Sequence, residues 1–154
     1  VFQRRVMTPI IPSPFVAEWG GFKGRIDRRA TVIWEPASNM NAELLYEDSA
    51  SSIILRLTNP VTPETARTTH VWFAWSRNFG SASDEDPMAL RFQEQSYAVM
   101  AEDVSFMEIQ QQGLDRAGDF QPVAIRADAT LIQARRIVER LRQEERAQAR
   151  RQSA

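Results

Sequence analysis

The stretch THVWFAWS, residues 69–76, runs through RNFGSASDEDP into MALRF, residues 88–92, and along it the chain changes period. In its first part Thr69, Val71, Phe73 and Trp75 alternate with His70, Trp72, Ala74 and Ser76. This is the two-residue repeat of a strand, and its bulk on both faces suits a strand covered on each side. Asp84-Glu85-Asp86-Pro87 then sets acids at the positive end of a helix and a proline near its first position. The spacing predicts a helix from about 87 to about 112, stopped at Gly113. Strands before this point and helices after it imply an α+β domain, with helices packed on one face of a sheet.

Upstream, three more strand-like runs are visible. Thr31-Val32-Ile33-Trp34 is β-branched and aromatic and is stopped by Pro36; residues 40–46 form a less regular run; residues 51–58 carry Ile53, Ile54, Leu55 and Leu57 and end at Asn59-Pro60. Short connections favour an antiparallel meander. Pro9, Pro12, Pro14, Gly20, Gly21 and Gly24 punctuate residues 1–29, which read as an extended connecting segment. Its opening, Val1-Phe2-Gln3-Arg4-Arg5, has no start signal and reads as beginning mid-protein. Downstream, a loop with Gly118 and Pro122 leads to a second helix, capped by Asp128 or Thr130, with an apolar stripe of Leu131, Ala134, Ile137, Val138 and Leu141. Beyond Arg142 only Arg, Glu, Gln and Ala follow, so the end of the helix is expected to fray, with residues 149–154 as a tail and 30–148 as the domain.

Composition narrows the function classes. The 154 residues are 43% apolar and 25% charged, close to the globular average, and the net charge is −1. Lys23 is the only lysine among 19 basic residues. A near-neutral balance without a basic cluster gives no footprint for nucleic acid or a membrane surface, and the arginines of the last helix read as a solvated face. No run of about 18 apolar residues occurs. The absence of cysteine excludes a disulfide framework, a thiolate nucleophile or a cysteine-held cluster within these residues, and is compatible with the cytoplasm as the expected compartment.

One residue of the first long helix stands out. At about 100° per residue, Met88, Phe92, Val99, Met100, Phe106 and Met107 share an arc of roughly 120°, and Asp103 falls near its middle. An unpaired carboxylate is costly in low dielectric, and Asp is a poor helix former. Such an acid titrates to neutral, pairs with an arginine, or binds a cation. Its neighbour Glu102 points off the arc.

Several segments together resemble a known family. Ile33-Trp34-Glu35-Pro36 with Met40, Thr62-Pro63-Glu64-Thr65, Thr69-His70-Val71-Trp72-Phe73, Ser76-Arg77-Asn78-Phe79-Gly80, Ala101-Glu102-Asp103 and Ile125-Arg126-Ala127-Asp128 with Ala134-Arg135-Arg136-Ile137 come in order and at spacings similar to those of one enzyme class. It is the catalytic domain of the Rieske oxygenases related to vanillate O-demethylase, dicamba monooxygenase and phenoxybenzoate dioxygenase. The resemblance implies a helix-grip fold, an antiparallel sheet with a long C-terminal helix. It implies a mononuclear iron(II) held by two histidines and a carboxylate, with the carboxylate falling on Asp103. It further implies a Rieske 2Fe-2S cluster upstream, a reductase or ferredoxin as electron donor, dioxygen, an aromatic substrate and a homotrimer. With one histidine and no cysteine, this segment is expected to be inactive alone. Asn59, Ala42 and Glu94 fall at positions where a relative contacts its substrate, while Trp72 and His70 are expected in the pocket wall. Trp34 and Trp75 are open to either pocket or core. The residues also leave open a non-catalytic helix-grip binding module and a structural subunit domain.

Overall fold

The computed structural model describes residues 1–36, 39–65, 67–81, 83, 86–118 and 123–152. Asp84, Glu85 and Pro122, used above to place helix ends, lie outside the described residues, as do the last two of the tail. The chain divides into two compact units, Val1–Phe79 with Ile125–Ala154, and Gly80–Ala124.

The first unit is built on an antiparallel sheet. Its strands are β1 (Phe2–Ile10), β2 (Ile26–Glu35), β3 (Asn39–Glu47), β4 (Ser52–Pro63), β5 (Thr69–Val71) and β6 (Ala74–Arg77). The order is β1-β2-β3-β4-β5, with β6 also paired to β4. The meander expected from the sequence is present, and it is larger than expected. Residues 2–10 of the stretch read as a connecting segment pair with β2, from Phe2 opposite Ile33 to Met7 opposite Arg28. A proline at position 9 does not prevent this, because β1 is an edge strand and its register shifts between Met7 and Ile10. The same stretch also holds a helix, α1 (Pro14–Gly20). Ser13 caps its start, accepting from Val16 N–H. Gly21, at φ 66°, ends it, with Gly21 N–H and Phe22 N–H donating back to the carbonyls of Glu18 and Ala17.

Alternation along the strands gives the sheet two unlike faces. On one lie Ile26, Ala30, Tyr46, Ile53 and Leu55, all buried. Helix α1 packs at β3 and β4 and adds the buried Val16, with Phe22 just beyond it. The opposite face carries Arg29 with Glu47 (2.6 Å) and Glu43 with Arg56 (2.8 Å) as cross-strand ion pairs.

The stretch 69–76, expected as one strand, is divided at Trp72 and Phe73. The register is nevertheless continuous, with Val61 opposite Val71 and Thr58 opposite Ala74, so no residue is inserted. The ladder is interrupted opposite Asn59-Pro60 because proline has no N–H to donate. Nor does the Asn59-Pro60 pair end its strand, since β4 continues to Pro63.

The remaining helices are longer than expected. In the second unit, α2 spans Pro87–Ala117. Asp86 is its N-cap, with Oδ1 accepting from Met88 N–H (3.0 Å) and Oδ2 from Ser81 N–H (3.0 Å). The helix does not stop at Gly113 but at Gly118, whose φ is 58°. Glycine inside a helix costs only about 1 kcal/mol, and Gln111 Nε2 donates to Asp115 Oδ1 across that turn (2.9 Å). Back in the first unit, a short 3-10 turn at Arg126–Asp128 leads into α3 (Ala129–Gln152). Asp128 lies in that turn, accepting from Ile125 N–H (2.9 Å). Beyond Arg142 the helix continues to Gln152, since arginine, glutamate, glutamine and alanine are all good helix formers and Arg140–Glu144 pairs at i,i+4 (2.9 Å). An antiparallel sheet of six strands plus a long C-terminal helix makes this an α+β, helix-grip-like fold.

Candidate functional site

The residues singled out above separate into groups. Ala42 and Asn59 share the buried face of the sheet: Ala42 is opposite Leu57 and Met40 is opposite Asn59, so the two are diagonal neighbours on adjacent strands. Half-buried Val32, Trp34, Met40 and Leu57 continue this face. His70 is opposite Thr62, which alternation along β4 places on the other face. Its Nε2 lies 3.5 Å from Glu64 Oε1, and its side chain is 57% exposed. Trp72 is 65% exposed, whereas Trp75 is half-buried.

Asn59 has a structural task that the sequence reading did not identify. Trp72 N–H donates to the carbonyl of Pro60 (3.0 Å). In an antiparallel ladder the reciprocal bond would run from residue 60 back to the Trp72 carbonyl, but Pro60 has no N–H. Asn59 Nδ2 donates to that carbonyl instead, at 2.5 Å. The side-chain amide thus replaces a missing backbone donor, and Asn59 is 8% exposed. The signal in the sequence was an asparagine directly before a proline inside an apolar run, which also reads as a turn. Nearby, Arg77 and Asn78 bond to backbone: Arg77 to the Phe79 carbonyl (2.5 Å), and Asn78 Oδ1 accepting from Ile54 N–H (2.7 Å).

On the opposite face an open groove of about 270 Å³ is lined by Thr31, Ile33, Asn41, Glu43, Arg56 and Thr58, which alternation sets on that face, and by the intervening positions Ala42 and Leu57. Short polar side chains at positions 31, 41 and 58 leave the depression, which the Arg56–Glu43 pair borders. Sequence reasoning missed it because cross-strand neighbours depend on register.

In the second unit, Asp103 and Glu94 lie on opposite sides of α2. They are nine residues apart, about 180° on a helix wheel. Ser96 is buried, and Met88, Phe92, Gln95 and Met100 are half-buried. Asp103 is seven residues beyond Ser96 and so on the same side of the helix, but the shielding does not reach it, and Val99, Phe106 and Met107 of the expected apolar arc are exposed. From Ala101 onward every described residue of α2 is exposed, Asp103 included. Among the described residues no ion pair engages Asp103, and no cluster of three or more His, Cys, Asp or Glu could hold a metal. By themselves the residues present do not fit an iron site: they provide one carboxylate where a mononuclear centre needs about three protein ligands. No described helix is long and apolar enough to cross a membrane.

Comparison with known proteins adds the family. Residues 1–144 match the vanillate O-demethylase oxygenase C-terminal domain. Among curated proteins, a putative toluene-4-sulfonate monooxygenase system iron-sulfur subunit from Comamonas testosteroni is 30% identical over 135 residues, covering 78% of this chain and 37% of that protein. A second such subunit from the same organism is 29% identical over the same shares of both chains. The vanillate O-demethylase oxygenase subunit of a Pseudomonas species is 33% identical over 98 residues, 64% of this chain and 28% of that protein. The chain thus spans less than two fifths of the length of these relatives. No solved structure matches significantly. With the match running from β1 into α3, the chain belongs to the family of vanillate O-demethylase oxygenase C-terminal domains, the C-terminal domain of a Rieske-type oxygenase.

Proposed function

We propose that this chain is part of the catalytic domain of an oxygenase that hydroxylates or O-demethylates an aromatic substrate with mononuclear iron(II) and dioxygen. In this reading residues 30–148 form the C-terminal part of that domain. The family match over residues 1–144 carries the proposal, and the relatives' names point to aromatic acids, toluene-4-sulfonate and vanillate. A Rieske 2Fe-2S cluster held by residues outside these would supply electrons from a reductase or ferredoxin, and the enzyme works as a homotrimer in the cytoplasm.

Asp103 is the one metal ligand this chain provides. Its alignment with the family's carboxylate position supports the assignment, as does the lack of an arginine partner among the described residues. A non-catalytic binding module would have been expected to pair that acid with an arginine. Because one carboxylate is far short of a site, no reaction step is assigned to these residues.

The test is Asp103→Ala in the full-length oxygenase. Iron bound at the mononuclear site and turnover should each fall by roughly 100-fold or more, since even outer-shell partners of a metal contribute 10–100-fold. The 2Fe-2S absorbance should remain. Unchanged iron content in Asp103→Ala would remove the residue from the site.

A further inference from the structure

Strand β1 is an outer strand of the sheet, and no described strand lies beyond it. Which of its backbone groups face outward follows from one pair. The Val1 amino group donates to the Trp34 carbonyl (2.6 Å), and Trp34 N–H donates to the Val1 carbonyl (2.8 Å). In an antiparallel ladder such bonded pairs alternate with non-bonded ones. The register is constant from Phe2 opposite Ile33 to Met7 opposite Arg28. Gln3, Arg5 and Met7 therefore bond to β2, while Phe2, Arg4 and Val6 turn their N–H and C=O groups to the free edge. Long edges are ordinarily blunted by proline or charge. Pro9 does not blunt this one, since it lies past those outward residues, within the register shift. The side chains of Phe2 and Val6 are exposed.

This edge is complementary to itself. Across a two-fold axis at Val6, the middle of Phe2–Ile10, Val6 lies opposite Val6, Arg4 opposite Thr8 and Phe2 opposite Ile10. An axis at Arg4 or Arg5 sets an arginine opposite its own copy, and like charges directly opposite oppose pairing. In the Val6 register Arg4 instead meets Thr8, whose hydroxyl donates to Asp27 Oδ1. Among the described residues no ion pair engages Arg4 or Asp27. The pairing thus brings a guanidinium towards a carboxylate twice, once on each side of the axis.

We propose that the free edge of β1 is an interface between two copies of this chain, an antiparallel strand pair about a two-fold axis at Val6, with Arg4 of each copy reaching Asp27 of the other. The sheet then runs on from one copy into the next by strand addition. Joined this way, two of the homotrimers proposed above make a particle of six copies.

The experiment weighs the full-length protein by light scattering after gel filtration. Wild type should hold an even number of copies, as closed two-fold pairing requires, and Val6→Pro should halve the mass. Proline there removes an outward N–H and no bond to β2, so the β1–β2 ladder stays intact. Arg4→Glu should raise the dissociation constant of the paired particles about tenfold or more, because it sets like charges together. Arg4→Glu with Asp27→Arg should restore it. Val6→Cys sets two thiols on backbones about 5.5 Å apart, within disulfide reach, and oxidation should give a covalent dimer on a denaturing gel. A three-copy wild-type particle overturns the interface and leaves the trimer standing. An unchanged mass in Val6→Pro overturns it too; a lowered Tm alongside would assign the edge to a strand of the same longer chain. No crosslink in Val6→Cys, or no rescue by the charge exchange, overturns the register.

Discussion

At the scale of single residues, the gap that Pro60 leaves in the β4 ladder is closed by the side chain one position earlier. Asn59→Ala should cost about 1–3 kcal/mol, the range for a buried carbonyl left without a donor, read as a lower midpoint in urea denaturation. Pro60→Ala restores a backbone N–H at the vacated place. The loss from Asn59→Ala should then be smaller in a Pro60→Ala background, a coupling expected when two residues serve one hydrogen-bonding group. Additive effects in that double-mutant cycle would mean that Asn59 does not act through the Trp72 carbonyl. On α2, Glu94 and Asp103 are about 180° apart on the wheel, so they should part company functionally. Glu94→Ala should leave turnover within about twofold of wild type, as expected for a solvated surface substitution, whereas Asp103→Ala should lower it by roughly 100-fold or more.

At the scale of elements, two glycines behave in opposite ways. Gly20 closes α1, and a Cβ there would overlap the ring of Phe22, which is buried at 6% exposure. Gly20→Ala should therefore destabilise the sheet unit by roughly 1–3 kcal/mol, the usual cost of overpacking, visible as a drop in Tm. A Cβ on Gly113 meets nothing within 4 Å, and the residue lies inside α2. Gly113→Ala should raise the helix content and stabilise α2 by up to about 1 kcal/mol, measured by circular dichroism on heating. The strand-to-helix change of period near residue 87 was legible in the sequence because alternation and helical spacing are local patterns. The ends of α2 and α3 were not, since good helix formers around Gly113 and beyond Arg142 carry the helices past the expected stops.

At the scale of the whole molecule, the buried apolar core lies in the sheet unit, while both units expose large apolar side chains. The sheet unit buries Ile26, Ala30, Tyr46, Ile53 and Leu55 on one face, with Val16 and Phe22 against them. In the helical unit Phe106 is 66% exposed and Ile109 64%. Exposed apolar side chains of this size on one helix are a liability for self-association. Phe106→Ser with Ile109→Ser should reduce light scattering of the isolated 154-residue chain at high concentration while leaving its Tm within a few degrees, because little buried area is lost. A large fall in Tm would mean that these side chains contribute to stability in the isolated chain.

The sequence by itself determined the α+β class, the meander and the start of α2 at Asp86-Pro87. Each of these depends on spacing along a few neighbouring residues, and the same local order carried the likeness to the Rieske oxygenases. Tertiary structure alone decided which candidates share a surface. Strand register brought Ala42 and Asn59 onto one face and sent His70 to the other, because successive side chains alternate and only pairing fixes the phase. It also brought residues 2–10 into the sheet, since an edge strand is held by bonds to a partner distant in sequence. And it gave Asn59 its orientation, because the acceptor left vacant by Pro60, the Trp72 carbonyl between β5 and β6, lies thirteen residues away in the chain.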